Sequence, residues 1–211
     1  MILKFDHVAY TCNYESENRS LQKFYDHKII FRENKLKNLQ NKMEFLTNKD
    51  LYHNIIYLEK DCNIPIEITS YKSIEDQYCD ISVIDNKVEI WSCNLAESIK
   101  FFSLLGFKMQ DESEKYCNLT FYTIFEKSPV FLEIKKSDQY KGWCLDNKGY
   151  CCLAFLADNA QKESIKLSSL GYLCTDIESL TVNGRRLEIF FVQGKCGEVV
   201  EIFSIKREEK K

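Results

Sequence analysis

The stretch "NLAESIKFFSLLGF", Asn94–Phe107, is echoed by "DNAQKESIKLSSLGY", Asp158–Tyr172. Both contain Glu-Ser-Ile-Lys, then a serine, Leu-Gly and an aromatic residue, and the shared tetrapeptides begin 66 residues apart at Glu97 and Glu163. Self-similarity at a fixed spacing marks a repeated structural unit. In the first copy Leu95, Ile99, Phe102 and Leu105 are spaced for one helical face, Asn94 stands at the N-cap position and Gly106 at C′. The second copy repeats these signals with Ile165, Leu170 and Gly171.

Strand-like runs surround both helices. "FKMQ", "CNLTFYTIF" and "SPVFLEIKK" follow the first, while "YLCT", "RRLEIFFVQG" and "GEVVEIFSI" follow the second. Each unit therefore reads strand, helix, then three strands. The N-terminal part keeps this order with "LKFDHVAYTC", a helix around "ESENRSLQKFYDH", then "KIIFRE", "LYHNIIYLEK" and "IPIEITSY". An insertion around "NKLKNLQNKMEFLTNKD" leaves room for an extra strand. The expected organisation is a module at 1–72, a two-module domain at 80–206 divided into 80–137 and 148–206, and a charged tail at 207–211. The fold class is α+β, with three βαβββ modules forming curled mixed sheets and helices on the convex side.

Composition narrows the function classes. Lysine and arginine number 29 against 32 acidic residues, intermixed along the chain, so there is no electrostatic footprint for nucleic acid or an anionic membrane. No apolar run reaches a membrane span, and the N-terminus lacks the pattern of a signal peptide, so a cytoplasmic location is expected. The ten cysteines are scattered without C-x-x-C spacing and read as reduced, mostly buried thiols. Cys151 and Cys152, adjacent in a strand, are expected to point to opposite faces.

The βαβββ repeat, most visibly "FDHVAY", "NLAESIKFFSLLGFK" and "GEVVEIFS", resembles the vicinal oxygen chelate superfamily. That group includes glyoxalase I, methylmalonyl-CoA epimerase, extradiol dioxygenases, fosfomycin-modifying enzymes and bleomycin-binding proteins. The resemblance implies that two modules pair to curl a sheet around a ligand-holding cup. It also implies metal ligands in the first and last strands of each module. His7 and Glu67 match those places in module one, Lys87 and Glu133 in module two, and Cys152 and Glu201 in module three.

Strand alternation puts His7, Ala9 and Thr11 of the first strand, and Pro65, Glu67 and Thr69 of "IPIEITSY", on the cup face. Modules two and three resemble each other most and so make the expected covalent pair. Module one would then pair with its copy in a homodimer, joining His7 and Glu67 of both chains. The alternative pairs modules one and two, gathering His7, Glu67, Glu133 and Lys87. Imidazole and carboxylate ligands suit divalent Zn, Ni, Co, Mn or Fe, and an ion with open positions could bind a small oxygen-rich substrate. Glu67, Glu133 and Glu201 are the candidates for proton transfer, and His53, Lys87, Trp91 and Cys152 for lining the pocket. Two function classes follow: a metal-dependent lyase, isomerase or dioxygenase, and a metal-free small-molecule-binding protein of the resistance type.

Overall fold

The structure, a computed structural model, describes residues 1–79, 81–122, 128–139 and 142–206. The charged tail expected at 207–211, and residues 123–125 of one expected strand, lie outside the described residues.

The first unit comprises β1 (Ile2–Asn13), a 3-10 turn leading into α1 (Glu17–Lys23), β2 (Lys28–Lys37), the short α2 (Gln40–Met43), β3 (Tyr52–Glu59) and β4 (Ile66–Tyr71). The insertion thus lengthens β2 and adds a helical turn in place of an extra strand. β5 (Glu75–Tyr78) leads to the second unit: β6 (Ile81–Ile84), β7 (Lys87–Ser92), α3 (Leu95–Leu104), β8 (Lys108–Glu112), β9 (Tyr116–Phe121) and β10 (Val130–Lys136). The third unit has β11 (Asn147–Ala157), α4 (Ala160–Ser169), β12 (Leu173–Cys174), β13 (Glu178–Val182), β14 (Arg185–Gln193) and β15 (Val199–Ile205). Here one expected strand, "YLCT", is joined by a second, β13, and the two pair with different stretches of β14.

Local chemistry explains the repeated helices. The Asn94 and Asn159 side chains accept hydrogen bonds from the Glu97 and Lys162 amides, at 3.3 and 2.8 Å, satisfying donors that the first helical turn leaves free. Gly106 (φ +107°) and Gly171 (φ +84°) supply the left-handed residue that ends each helix. The Phe107 and Tyr172 amides then reach back to the Phe102 and Leu167 carbonyls, closing a Schellman motif in each copy.

α3 buries Leu95, Phe102 and Leu105 of the expected face, with Ile99 packed at its edge, and adds Ser98 and Phe101. α4 departs from the expectation: it buries Ala160, Glu163 and Leu167, while Ile165 and Leu170 are 60% and 50% exposed. The face of α3 is widened because it packs against two bodies. Phe102 meets Phe107 of its own unit at 5.9 Å, while Phe101 meets Tyr172 of the third unit at 5.2 Å. Beside that contact the Ser98 hydroxyl donates to the buried Glu198 carboxylate, which also accepts from the Cys196 amide at 3.1 Å.

Sheet order corrects the expected pairing of modules. Units one and three share a ten-stranded sheet, running β12-β14-β15-β11-β1-β4-β3-β2 with β13 and β5 attached, and unit two forms a separate five-stranded sheet, β6-β7-β10-β9-β8. The seam is β1 antiparallel to β11. The same edge of β7 is occupied by β6, a hairpin partner turned at Asp85 (φ +54°) and Asn86, with Ile84 opposite Lys87. A strand whose edge is already paired cannot seed a second half-cup.

Unit two packs instead on the convex side of the seam. Phe5 and Phe155 are register partners there with rings 5.1 Å apart. Phe107 lies 6.3 and 6.2 Å from them, and Phe121 lies 6.1 Å from Phe155. All four are buried, and the edge-to-face geometry adds to the apolar burial. Among the described residues no helix is long and apolar enough to cross a membrane. Truncating Phe155 to alanine removes the ring that joins all three units; a loss of about 3 to 5 kcal/mol, or about 10 °C in Tm, is expected by calorimetry.

Candidate functional site

The seam carries two rows of side chains on its concave face. β1 pairs with β4 so that Ala9 faces Glu67, and with β11 so that Ala9 faces Cys152 and His7 faces Ala154. β11 in turn pairs with β15, with Ala154 beside Glu201. One row is therefore Glu67-Ala9-Cys152 and the next is His7-Ala154-Glu201. The two units stand in pseudo-twofold relation, with an alanine in the centre of each row leaving open space above the sheet. A cavity of about 360 Å³ over this floor is lined by His7, Glu67, Glu201 and His53. A smaller one beneath it touches Glu67, Glu201, Cys151 and Cys152.

Irregularities in the two seam strands set which groups face the cup. Register slips by one residue between Phe5 and His7, so Asp6 is an extra residue and both Asp6 and His7 border the cavity. A second slip, with Cys152 opposite Ala9 but Tyr150 opposite Tyr10, brings Cys151 and Cys152 to the same small cavity instead of opposite faces. Both thiols are buried, and burial holds each well above the usual thiol range. Cys12, Cys62, Cys93, Cys117, Cys144, Cys174 and Cys196 are likewise free thiols.

His7 is 4% exposed. Its Nδ1 is hydrogen-bonded to Asp6 Oδ2 at 3.0 Å, while Nε2 lies 3.7 Å from Glu67 Oε2, buried and without a hydrogen-bond partner. Burial favours the neutral ring, but the Glu67, Asp6 and Glu201 carboxylates together outweigh it and raise the imidazole to about 9. Burial likewise opposes ionisation of Asp6, yet His7 and Lys4 hold it down at about 2. Asp6 also accepts from the Tyr57 hydroxyl at 3.2 Å, and Glu67 Oε1 accepts from Thr69 at 3.0 Å. Glu201 is raised above the usual carboxylate range, first by burial and then by the charge of Glu67, against the pull of His7 and Lys42.

The expected site residues thus divide. His7, Glu67, Cys152 and Glu201 meet at the floor of one cup within a single chain, a set that neither pairing considered from the sequence contains, and no second chain is needed to bring them together. His53 is also in the cup, 1% exposed, its ring 5.8 Å from that of Tyr71. Burial, and then the Lys42 charge, push it well towards the neutral form, against the nearby Leu36 backbone. Lys87, Trp91 and Glu133 lie in the other sheet, away from the cup, because β6 closes that edge. There Lys87 pairs with Glu133 at 2.5 Å and holds its carboxyl below the usual range, and Lys135 joins Glu89 at 2.5 Å and lies 5.6 Å from the Trp91 ring. Several cup residues escape the sequence reading. Asp6 is hidden by the bulge, Tyr57 by its distance in sequence, and Lys42 by its place in the insertion. A polar residue directly before His7 was the one available signal.

Among the described residues no three His, Cys, Asp or Glu side chains stand close enough together, as placed, to hold a metal ion. The donor set nevertheless fits one. Nε2 is an orphaned buried nitrogen facing a carboxylate, and its ring is oriented through Nδ1 by a second carboxylate, the arrangement that metal-binding histidines use.

No protein-family model and no curated protein matches the sequence. Solved structures similar to this chain include a proposed dioxygenase from Bacillus subtilis subsp. subtilis str. 168, with 10% identity over 97% of this chain and 63% of that one, TM-score 0.46. This chain therefore spans less than two thirds of that protein. A glyoxalase I variant from Zea mays aligns over 95% of this chain and 67% of its own, with 17% identity and TM-score 0.41. A glyoxalase family protein from Enterococcus faecalis is 20% identical over 57% of this chain and 96% of its own, TM-score 0.45. With two βαβββ units joined through their first strands around a common cup, the chain has a glyoxalase-like fold.

Proposed function

We propose that the cup binds a divalent transition metal through His7 Nε2, Glu67 and Glu201, and holds a small oxygen-rich molecule beside it. The observation that supports this is the unpartnered Nε2 of a buried histidine whose other nitrogen is held by Asp6. Glu201, on the strand two away from β1 and bordering the same cavity, would be the third ligand. A bound ion would supply Lewis-acid stabilisation of an enolate or alkoxide, the basis of lyase or isomerase chemistry. Asp6 orients the imidazole, and Thr69 fixes one oxygen of Glu67. Glu201, with its raised affinity for a proton, is suited to hold one and pass it to a neighbouring carbon or oxygen. Apolar side chains, among them Leu180, Leu187 and Phe203, line part of the same cavity. Glu133 has no part in this reading, because it lies in the other sheet.

Calorimetric titration of EDTA-stripped protein with Zn²⁺, Ni²⁺ and Mn²⁺ tests the reading. One ion per chain is expected, with binding abolished in His7→Gln and weakened about 10- to 100-fold in Asp6→Asn. If none of the ions binds, the cup is a metal-free binding site in which the protonated His7, set between Asp6 and Glu67, takes the place of the ion.

The metal-free protein should also show a defined pH dependence. A raised imidazole stabilises the fold fully below its unfolded value, and that stability is lost as pH rises through the folded value of about 9. Above it three carboxylates share a buried floor without their cation. In EDTA the Tm should fall between about pH 7 and about pH 10, and the fall should be smaller in His7→Gln, which carries no proton to lose.

A further inference from the structure

Two buried side chains in the cup, Tyr71 and His53, have no hydrogen-bond partner, and the Lys42 ammonium lies beside them. Lys42, on α2, borders both cavities, lies 5.7 Å from the Tyr71 ring and enters no ion pair among the described residues. The Tyr71 hydroxyl is fully buried at the smaller cavity and has no partner. Both His53 nitrogens are buried beside the larger one, also without a partner of hydrogen-bond geometry. A buried polar group left without a partner is disfavoured, so Tyr71 and His53 together, beside a half-buried ammonium, point to a missing acceptor.

The segment that carries Lys42 is pinned in place. Asn38 donates to the Asp50 carbonyl at 2.6 Å, closing the base of the insertion. The Asn41 amide donates to Glu178, and its side chain donates to the Asp176 and Ile189 carbonyls, both at 3.0 Å. Further along, the Thr47 and Asn48 amides donate to Asp146 at 2.9 and 2.7 Å. An insertion of unit one is thereby strapped across to unit three at both ends. Pinning the segment in this way fixes the backbone from which Lys42 reaches the cavities.

We propose that the cup recognises a small molecule with a carboxylate and an apolar body, the carboxylate being received by Lys42, His53 and Tyr71 beneath the strap. A carboxylate offers about four acceptor positions to these donors, and the ammonium supplies its countercharge. Phe31, Ile55, Leu180, Leu187 and Phe203 provide the apolar wall. The inference rests on the cup being the ligand site, but it does not depend on a metal.

A matched pair of probes tests it: 1-naphthaleneacetate and its neutral amide, 1-naphthaleneacetamide, titrated in EDTA by fluorescence. Wild-type protein should bind the carboxylate about tenfold more tightly than the amide, and Lys42→Met should erase that preference. Lys42→Arg should keep most of it, and Lys100→Met, on exposed α3, should leave it unchanged. Tyr71→Phe, nearly isosteric, should weaken only the carboxylate and serves if Lys42→Met does not fold. Equal affinity for the two probes, binding of neither, or a preference that survives both Lys42→Met and Tyr71→Phe would overturn the proposal. Because EDTA is present throughout, failure here leaves the metal titration standing, and failure of the metal titration leaves this result standing.

Discussion

The antiparallel seam between β1 and β11 is the constraint on which the rest of the molecule depends. On its convex side the Phe5–Phe155 pair makes the surface that Phe107 and Phe121 cover, so the seam both joins units one and three and seats unit two. On its concave side the same register puts His7 and Cys152, and Glu67 and Glu201, into pseudo-twofold positions around Ala9 and Ala154. A shift of one residue in this pairing would send His7 to the phenylalanine side and Phe5 into the cup. Assembly and site are therefore specified by one set of backbone hydrogen bonds.

The register shifts in the seam refine what alternation alone would produce. A regular strand would bury Asp6 among phenylalanines, where an ionised carboxylate has no place. The bulge turns it towards His7, Tyr57 and Lys4, and the aspartate and imidazole then stabilise each other's charge. Asp6, His7 and Glu67 hold their charges in a buried cluster because each faces a partner, while one nitrogen of His7 and the groups under the strap are left without one. Those exceptions, and not the satisfied groups, are where a ligand has something to contribute.

Much of the fold is legible in the chain because it is locally encoded. Asn94, Gly106, Asn159 and Gly171 mark the helix ends by capping chemistry that needs no tertiary context. The floor residues are legible by period-two alternation, which places Ala9, Thr11, Glu67 and Thr69 on the cavity side. The choice of partner for each unit is not encoded in that way. Similarity between the helical segments of units two and three reports how each helix ends, whereas pairing is decided at the edges of β1, β7 and β11. The signal that mattered was "VIDNKV": a two-residue turn between alternating apolar residues, which folds β6 onto β7 and closes that edge. Lys42 was illegible for a different reason. An insertion has no counterpart in the repeat, and only the contacts of Asn41, Thr47 and Asn48 with the third unit reveal where it lies.

The glutamate of the last strand, present in all three units, shows how position alone leaves a role undecided. In unit two Glu133 faces Lys87, two residues before its register partner Glu89, at the place His7 holds relative to Ala9. With a lysine there the carboxylate is neutralised within its own unit, Lys135 repeats the pairing with Glu89, and the unpaired sheet face is left as a ladder of ion pairs. Such a face needs no metal to balance it. In the shared cup the corresponding charges are divided between units: Glu67 faces His7 of its own strand pair, while Glu201 has buried Cys152, which carries no countercharge. Glu201 therefore depends on groups brought by unit one, His7 across the seam and Lys42 from the strap, to balance its charge. Dependence of one unit's carboxylate on the other unit's cations is what makes the cup a joint product of both, and it separates a floor open to chemistry from the closed ladder of unit two.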